Sequence, residues 1–285
     1  YELTEVTAPE GYEVAEKIVF TVDEEGKITI DGNEVTDKTV VMKDAPTKVY
    51  ISKQDITNSE ELAGAKLEIT QIDENGNKVT DGFIKSWTST DEKTLIEKIP
   101  TGTYELAEIT APEGYEVAEK IVFTVNKDGK ITIDGNEVTD KTVAMKDAPT
   151  KVYISKQDIT NSEELAGAKL EITQIDENGN KVTDGFTKSW TSTDEKTLIE
   201  KIPTGTYEFT EITAPEGYEV AEKIVFTVDK DGKITIDGNE VTDKTVFLKG
   251  APTKVYISKQ DITNSEELAG AKLEITQIDE NGNKV

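Results

Sequence analysis

Three ionisable residues, Lys53, Glu108 and Asp147, stand where an alternating strand turns side chains inward. Lys53 is in phase with Val49 and Ile51, Glu108 with Tyr104 and Leu106, and Asp147 with Val143 and Met145. Residues two apart on a strand share a face. A buried, unpaired charge costs several kcal/mol, so these groups either meet one another or lie at strand ends in water. If they meet, burial disfavours both charged forms and favours a neutral amine beside a neutral acid. The Lys53 amine can then attack the Asp147 carboxyl carbon, while Glu108 polarises the carbonyl and moves protons. One water leaves, an amide remains, and the fold supplies proximity. Phase alone leaves three outcomes open: the amide, a buried ion triad without a covalent bond, or strand-end charges that reach solvent.

Other chemistries are excluded by composition. The 285 residues contain neither cysteine nor histidine, which removes disulfides, thiol nucleophiles, histidine bases and zinc-finger ligand sets. With 58 acidic and 32 basic residues the net charge is −26, which repels nucleic acid and anionic membrane surfaces. This charge is the solubilising coat expected of a long exposed protein. No run is apolar enough to span a membrane, and no signal peptide is present. The chain opens at Tyr1 without Met and reads as an internal piece of something longer. No phosphate loop, cofactor motif or complete metal-ligand set is found, so no cofactor and no metal is expected.

The elements that must position the three residues repeat. The string TKVYISKQDITNSEELAGAKLEITQIDENGNKV occurs at 47, 150 and 253, a spacing of 103 residues. Residues 47–149 and 150–252 are two complete units, 1–46 is the closing part of another, and 253–285 opens a further one. A period of this size is a whole domain. The two complete units differ at seven positions: Ile84/Thr187, Leu106/Phe209, Ala107/Thr210, Asn126/Asp229, Ala144/Phe247, Met145/Leu248 and Asp147/Gly250. Consecutive units join through Ala-Pro-Thr, as at Ala148-Pro149-Thr150, a stiff link that predicts an elongated rod.

Within a unit the hydrophobic period is two. Lys48–Lys53, Lys66–Thr70 and Ile121–Val125 alternate, and turns at 73–77, 126–129 and 134–136 punctuate them. The pattern predicts an all-β fold, a tandem array of antiparallel β-sandwich domains of immunoglobulin-like proportions. A short helix within 55–64 is also considered, although Gly64 weakens it. Glu60-Glu61 lies in a polar run and reads as a solvated loop rather than a glycosidase carboxylate pair. Asp73-Glu74-Asn75-Gly76-Asn77 lacks the spacing and distal Glu of a calcium loop and reads as a hairpin turn. Trp87 and Trp190 read as packing residues; an exposed aromatic patch there would instead favour ligand binding.

Several of these runs resemble the Cna B-type, SpaA-like repeats of Gram-positive pilins and surface adhesins. The resemblance is carried by Ile51-Ser52-Lys53-Gln54-Asp55 with Leu62–Leu67, by Ile99–Glu108 followed by Thr110-Ala111-Pro112-Glu113-Gly114-Tyr115, and by Val143–Asp147. It covers essentially every residue of each unit. It implies a Lys–Asn or Lys–Asp isopeptide bond between the first and last strands, assisted by a middle-strand Glu. Lys53 is then the nucleophile, Asp147 the electrophile and Glu108 the proton shuttle. The chemistry is a single self-crosslinking event, so the chain is not expected to be an enzyme.

The second unit departs from the pattern. Lys156 and Glu211 are present, but Gly250 replaces the Asp, so the bond cannot form and the first two are expected to remain as an ion pair. Phe209, larger than Leu106, is expected to fill the volume the missing Asp leaves. The partial units carry Glu5 and Asp44 at one end and Lys259 at the other. Lys259 of one copy meeting Asp44 and Glu5 of another would join copies head to tail. The expected function is a structural stalk at the cell surface, attached to the cell wall as the resemblance implies. Its partners are neighbouring repeats, and any host ligand is held by a domain outside this chain. Two alternatives stand beside it: repeats that themselves bind a host glycan or matrix protein, and accessory modules of a larger secreted enzyme.

Overall fold

The computed structural model describes residues 1–285, and all of its regular structure is strand. The opening segment forms one antiparallel sheet of β1 (Glu2–Leu3), β2 (Ile18–Val22), β3 (Ile28–Ile30) and β4 (Asn33–Val35). The unit from 47 contains β5 (Lys48–Asp55), β6 (Lys66–Ile72), β7 (Ile84–Thr88), β8 (Thr94–Glu97) and β9 (Gly102–Thr110). It closes with β10 (Ile121–Val125), β11 (Ile131–Ile133), β12 (Asn136–Val138) and β13 (Thr142–Asp147). The next unit repeats these as β14 (Lys151–Asp158), β15 (Lys169–Ile175), β16 (Thr187–Thr191), β17 (Thr197–Glu200) and β18 (Gly205–Thr213). Its remaining strands are β19 (Ile224–Val228), β20 (Ile234–Ile236), β21 (Asn239–Val241) and β22 (Thr245–Gly250). Residues 253–285 hold turns and isolated bridges only.

Each complete unit is two sheets. A six-stranded sheet in the order β12-β11-β10-β9-β6-β7 faces a three-stranded one in the order β13-β5-β8, and the second unit repeats both. Alternation explains the layering: Val49, Ile51, Leu67, Ile69, Tyr104, Leu106, Phe123, Val143 and Met145 are buried in one core. The hairpin between β11 and β12 turns on Asp134 and Gly135, both at positive φ (50° and 78°), as a type I′ turn requires.

Two features differ from the sequence expectation. First, one pairing in each unit is parallel: β13 runs alongside β5 in the same direction. The first and last strands therefore point the same way, so the chain enters at one end of the unit and leaves at the other. Second, residues 55–64 form no helix. Asp55 accepts the backbone N–H and hydroxyl of Thr57, Ser59 turns into left-handed backbone (φ 61°), and Gln54 bridges Glu61. Local side-chain bonding of this kind competes with helix formation.

Candidate functional site

Strands from both sheets converge on the three ionisable residues. The three-stranded sheet supplies Lys53 from β5 and Asp147 from β13, and the six-stranded sheet supplies Glu108 from β9. In the parallel register Lys53 lies opposite Met145 and Asp55 opposite Asp147, so Lys53 reaches Asp147 diagonally across one pair. Lys53 Nζ contacts Asp147 Oδ1 and stands 2.9 Å from Glu108 Oε1. Side-chain exposure is 2% for Lys53 and 0% for the two carboxylates, which removes the strand-end alternative.

The carboxylates are held differently. Glu108 Oε2 accepts the backbone N–H of Ala118 at 2.7 Å, which aims Oε1 at the amine. Asp147 Oδ2 has no hydrogen-bond partner, nor does Glu108 Oε1 beyond its ion-pair contact. Burial pushes the Asp147 carboxyl up; Lys53 offsets part of that, the Glu108 carboxylate adds to it, and the result is about 7. An acid held near 7 keeps its proton far more readily than a free aspartate. A protonated carboxyl beside an amine and a fixed carboxylate has the parts for amide condensation.

Lys53 is also positioned by a residue to which the sequence reading gives no role at the site. Glu61, read as solvated, is half-buried; it accepts the Ser52 hydroxyl and, at 3.0 Å, the Lys53 backbone N–H. Glu60 beside it is exposed, as expected. The hydroxyl contact recurs at Ser155 with Glu164, to which the Gln157 amide also donates at 3.3 Å.

In the second unit Lys156 Nζ stands 3.0 Å from Glu211 Oε1, and Ala221 N–H donates to Glu211 Oε2 at 2.7 Å. The pair is at ion-pair distance without a well-directed hydrogen bond. A Cβ added at Gly250 would lie 3.0 Å from Lys156 Nζ, 3.1 Å from Leu165 Cδ1 and 3.4 Å from Tyr218 Cδ1. Phe209 is not among the atoms nearest that position. Its ring stacks on Trp190 (6.0 Å, 8°), and Leu165 and Tyr218 line the position. Both indoles are half-buried and pack against their cores, which disfavours the exposed-patch reading.

Glu5 and Asp44 lie together in the opening segment, where burial and the adjacent Glu5 carboxylate raise the Asp44 carboxyl. Lys259 is exposed on the closing segment, far from both in sequence. No group of His, Cys, Asp or Glu is arranged to hold a metal ion.

A family model described as SpaA, a prealbumin-like fold domain, matches residues 47–139 and again 150–242, well over half of the chain. No curated protein matches. Among solved structures, the pilus adhesin SpaC of Lactobacillus rhamnosus GG in its open conformation is 18% identical, with a TM-score of 0.41. The match covers 87% of this chain and 35% of that one, so the chain spans about a third of the adhesin. A C-terminal fragment of SpaC is 20% identical over 74% of this chain and 100% of the fragment, with a TM-score of 0.44. The shaft pilin SpaA of the same organism is 16% identical over 74% of this chain and 99% of its own, with a TM-score of 0.31.

Proposed function

We propose a function on one premise: the chain belongs to the SpaA family of prealbumin-like domains. It is a run of structural stalk repeats from a cell-surface adhesin or pilus-like protein, divided at 47, 150 and 253. The repeats serve as spacers, and 47–149 is closed by a self-formed isopeptide bond between Lys53 and Asp147. The observation that carries this reading is the contact of Lys53 Nζ with the raised, unexposed Asp147 carboxyl, 2.9 Å from Glu108.

The step balances within the three side chains. The neutral Lys53 amine adds to Asp147 Cγ, and Glu108 takes a proton from the nitrogen. Glu108 returns it to the departing Asp147 oxygen, which leaves as water. The amide carries neither starting charge, so the cost of burying an amine and a carboxyl ends with the reaction. The bond closes a loop between residues 94 apart, which restricts the unfolded chain by about 4–5 kcal/mol on the scale of a long-loop disulfide. It also resists reductant. Load entering at the start of β5 passes through the bond to the end of β13 and on to the next unit, leaving the core unstretched.

Intact mass under denaturing conditions tests this directly. The chain is expected to weigh one water less than its sequence, and Lys53→Ala is expected to weigh its full sequence mass. A full-mass parent chain would reduce the triad to a buried ion cluster.

A further inference from the structure

Each repeat also carries a lip that grips the next one. In 47–149 it is the Pro112–Val117 turn. The Thr150 N–H donates to Gly114 O at 3.0 Å, and Val117 N–H donates to Lys230 O at 3.0 Å, in a surface turn of the following unit. Glu116 pairs with Lys244 at 2.7 Å. The ammonium of Lys201 lies 4.9 Å over the Tyr115 ring and 3.3 Å from Asp55, to which the Tyr115 hydroxyl also donates at 2.8 Å. Every one of these contacts except the Tyr115–Asp55 hydrogen bond crosses the unit boundary.

The earlier boundary repeats the contacts. Thr47 N–H donates to Gly11 O at 3.0 Å and Val14 N–H to Lys127 O at 3.1 Å. Lys141 pairs with Glu13 at 2.7 Å, and Lys98 lies 5.2 Å over the Tyr12 ring. The opening segment lacks most of its own unit, yet its lip is seated in the same way. The fit is close: a Cβ at Gly114 would lie 2.8 Å from Lys201 O, and one at Gly232 would lie 2.2 Å from the Glu116 carboxylate. Lys98 and Lys201 hold left-handed backbone (φ 57° each), a conformation that costs energy in a lysine and clusters at functional contacts.

We propose that the Pro-Glu-Gly-Tyr-Glu-Val lip is an interaction surface for the following repeat and fixes adjacent repeats in one orientation. The copy at Pro215–Val220 is the same surface with only the start of its partner present: Thr253 N–H donates to Gly217 O at 2.8 Å, the lysine contacts are missing, and its occupant is a further repeat of this kind. Gly217 there meets nothing within 4 Å, Val220 is 60% exposed against a half-buried Val117, and Glu219 is exposed against a half-buried Glu116. The counterparts of Lys201, Lys230 and Lys244 would fall beyond residue 285. This joint stands whether or not the isopeptide bond forms.

The absence of native cysteine makes the test direct. Spin labels placed in the whole chain at Glu74→Cys and Glu177→Cys, equivalent exposed positions in two repeats, report the distance across the joint. One narrow distance distribution is expected. Glu116→Lys with Lys201→Glu places like charges at both contacts and is expected to broaden it. Glu116→Lys alone is expected to broaden it less, and adding Lys244→Glu to that single variant is expected to narrow it again. Glu219→Lys, which has no partner here, is expected to leave it unchanged. A broad distribution in the parent chain, no response to the double charge reversal, or an equal response to Glu219→Lys would overturn the proposal.

Discussion

Lys156 Nζ lies 3.0 Å from Glu211 Oε1 inside a shell that exposes 1% of one side chain and none of the other. One positive and one negative charge balance there. In the first unit Lys53 and Glu108 make the same pair, and Asp147 adds a third group that burial pushes toward its neutral form. The two units are thus the same cradle with and without the carboxyl proposed as the electrophile.

Gly250→Asp should therefore supply the missing group. Gly250 is not in left-handed backbone, and its carbonyl accepts the Ile159 N–H at 3.0 Å, just as Asp147 accepts Ile56 at 2.9 Å. The new Cβ presses on the end of the Lys156 side chain and on Leu165, which must yield by a few tenths of an ångström. The expected mass deficit rises from one water to two, and Glu211→Gln in the same background returns it to one. A variant that stays one water short would show that the Leu165 and Tyr218 packing has closed the site.

Glu108→Gln separates chemistry from folding. The amide keeps the volume and can still accept the Ala118 N–H, and Lys53 with Asp147 remains a balanced pair. Removing one member of a buried pair outright would cost about 3–5 kcal/mol, and this change avoids that. The expected outcome is a chain of full sequence mass with an unchanged β-sheet circular dichroism spectrum. Crosslinking at the parent rate would remove Glu108 from the proton-transfer role.

How much of this was legible in the sequence differs by residue. The phases of Lys53, Glu108 and Asp147 are local and follow from alternation. Their convergence is not local, because it needs β13 to run parallel to β5 and β9 to cross the opposite sheet. Glu61 was misread because Asn58-Ser59-Glu60-Glu61 has the composition of a solvated loop, while its partners, the Ser52 hydroxyl and the Lys53 N–H, are backbone and side-chain groups of a strand. For Phe209 a gain in volume carries no direction, and the stacking of its ring on Trp190 could not be read from the sequence. The lip was visible only as a run carrying the family resemblance, since Lys201, Lys230 and Lys244 lie about a repeat away.

Under tension the two units should part company. Strands β14 and β22 are parallel, and force pulls the start of one against the end of the other, which shears their whole ladder at once. Nothing covalent backs that ladder in the second unit. Single-molecule stretching is expected to show one unfolding event from the complete repeats, with a length gain on the order of 300 Å for about a hundred residues released. In Lys53→Ala a second such event is expected. Two events in the parent chain would mean that the first unit carries its load without a bond.

The joint should answer to acid through Asp55. Burial raises this carboxyl, but the Thr57 hydroxyl and N–H, the Tyr115 hydroxyl and the Lys201 ammonium outweigh it and hold the carboxyl well below the usual range. A carboxyl depressed in the folded state stabilises it above its unfolded value, about pH 4, and the contribution is lost as pH falls through the depressed value. Asp158 is the internal control. It is lowered by Thr160 and Tyr218 with no lysine from a following repeat. Lys201→Ala should therefore raise the Asp55 midpoint toward that of Asp158 without restoring the ordinary value, as read from the Asp side-chain carboxyl shifts in an NMR titration. In the parent chain the spin-label distances should broaden as Asp55 is protonated and Lys201 loses its charged partner across the joint. An Asp55 midpoint that ignores Lys201→Ala would show that Thr57 and Tyr115 alone hold the charge, and that the lysine contributes only its contact with the ring.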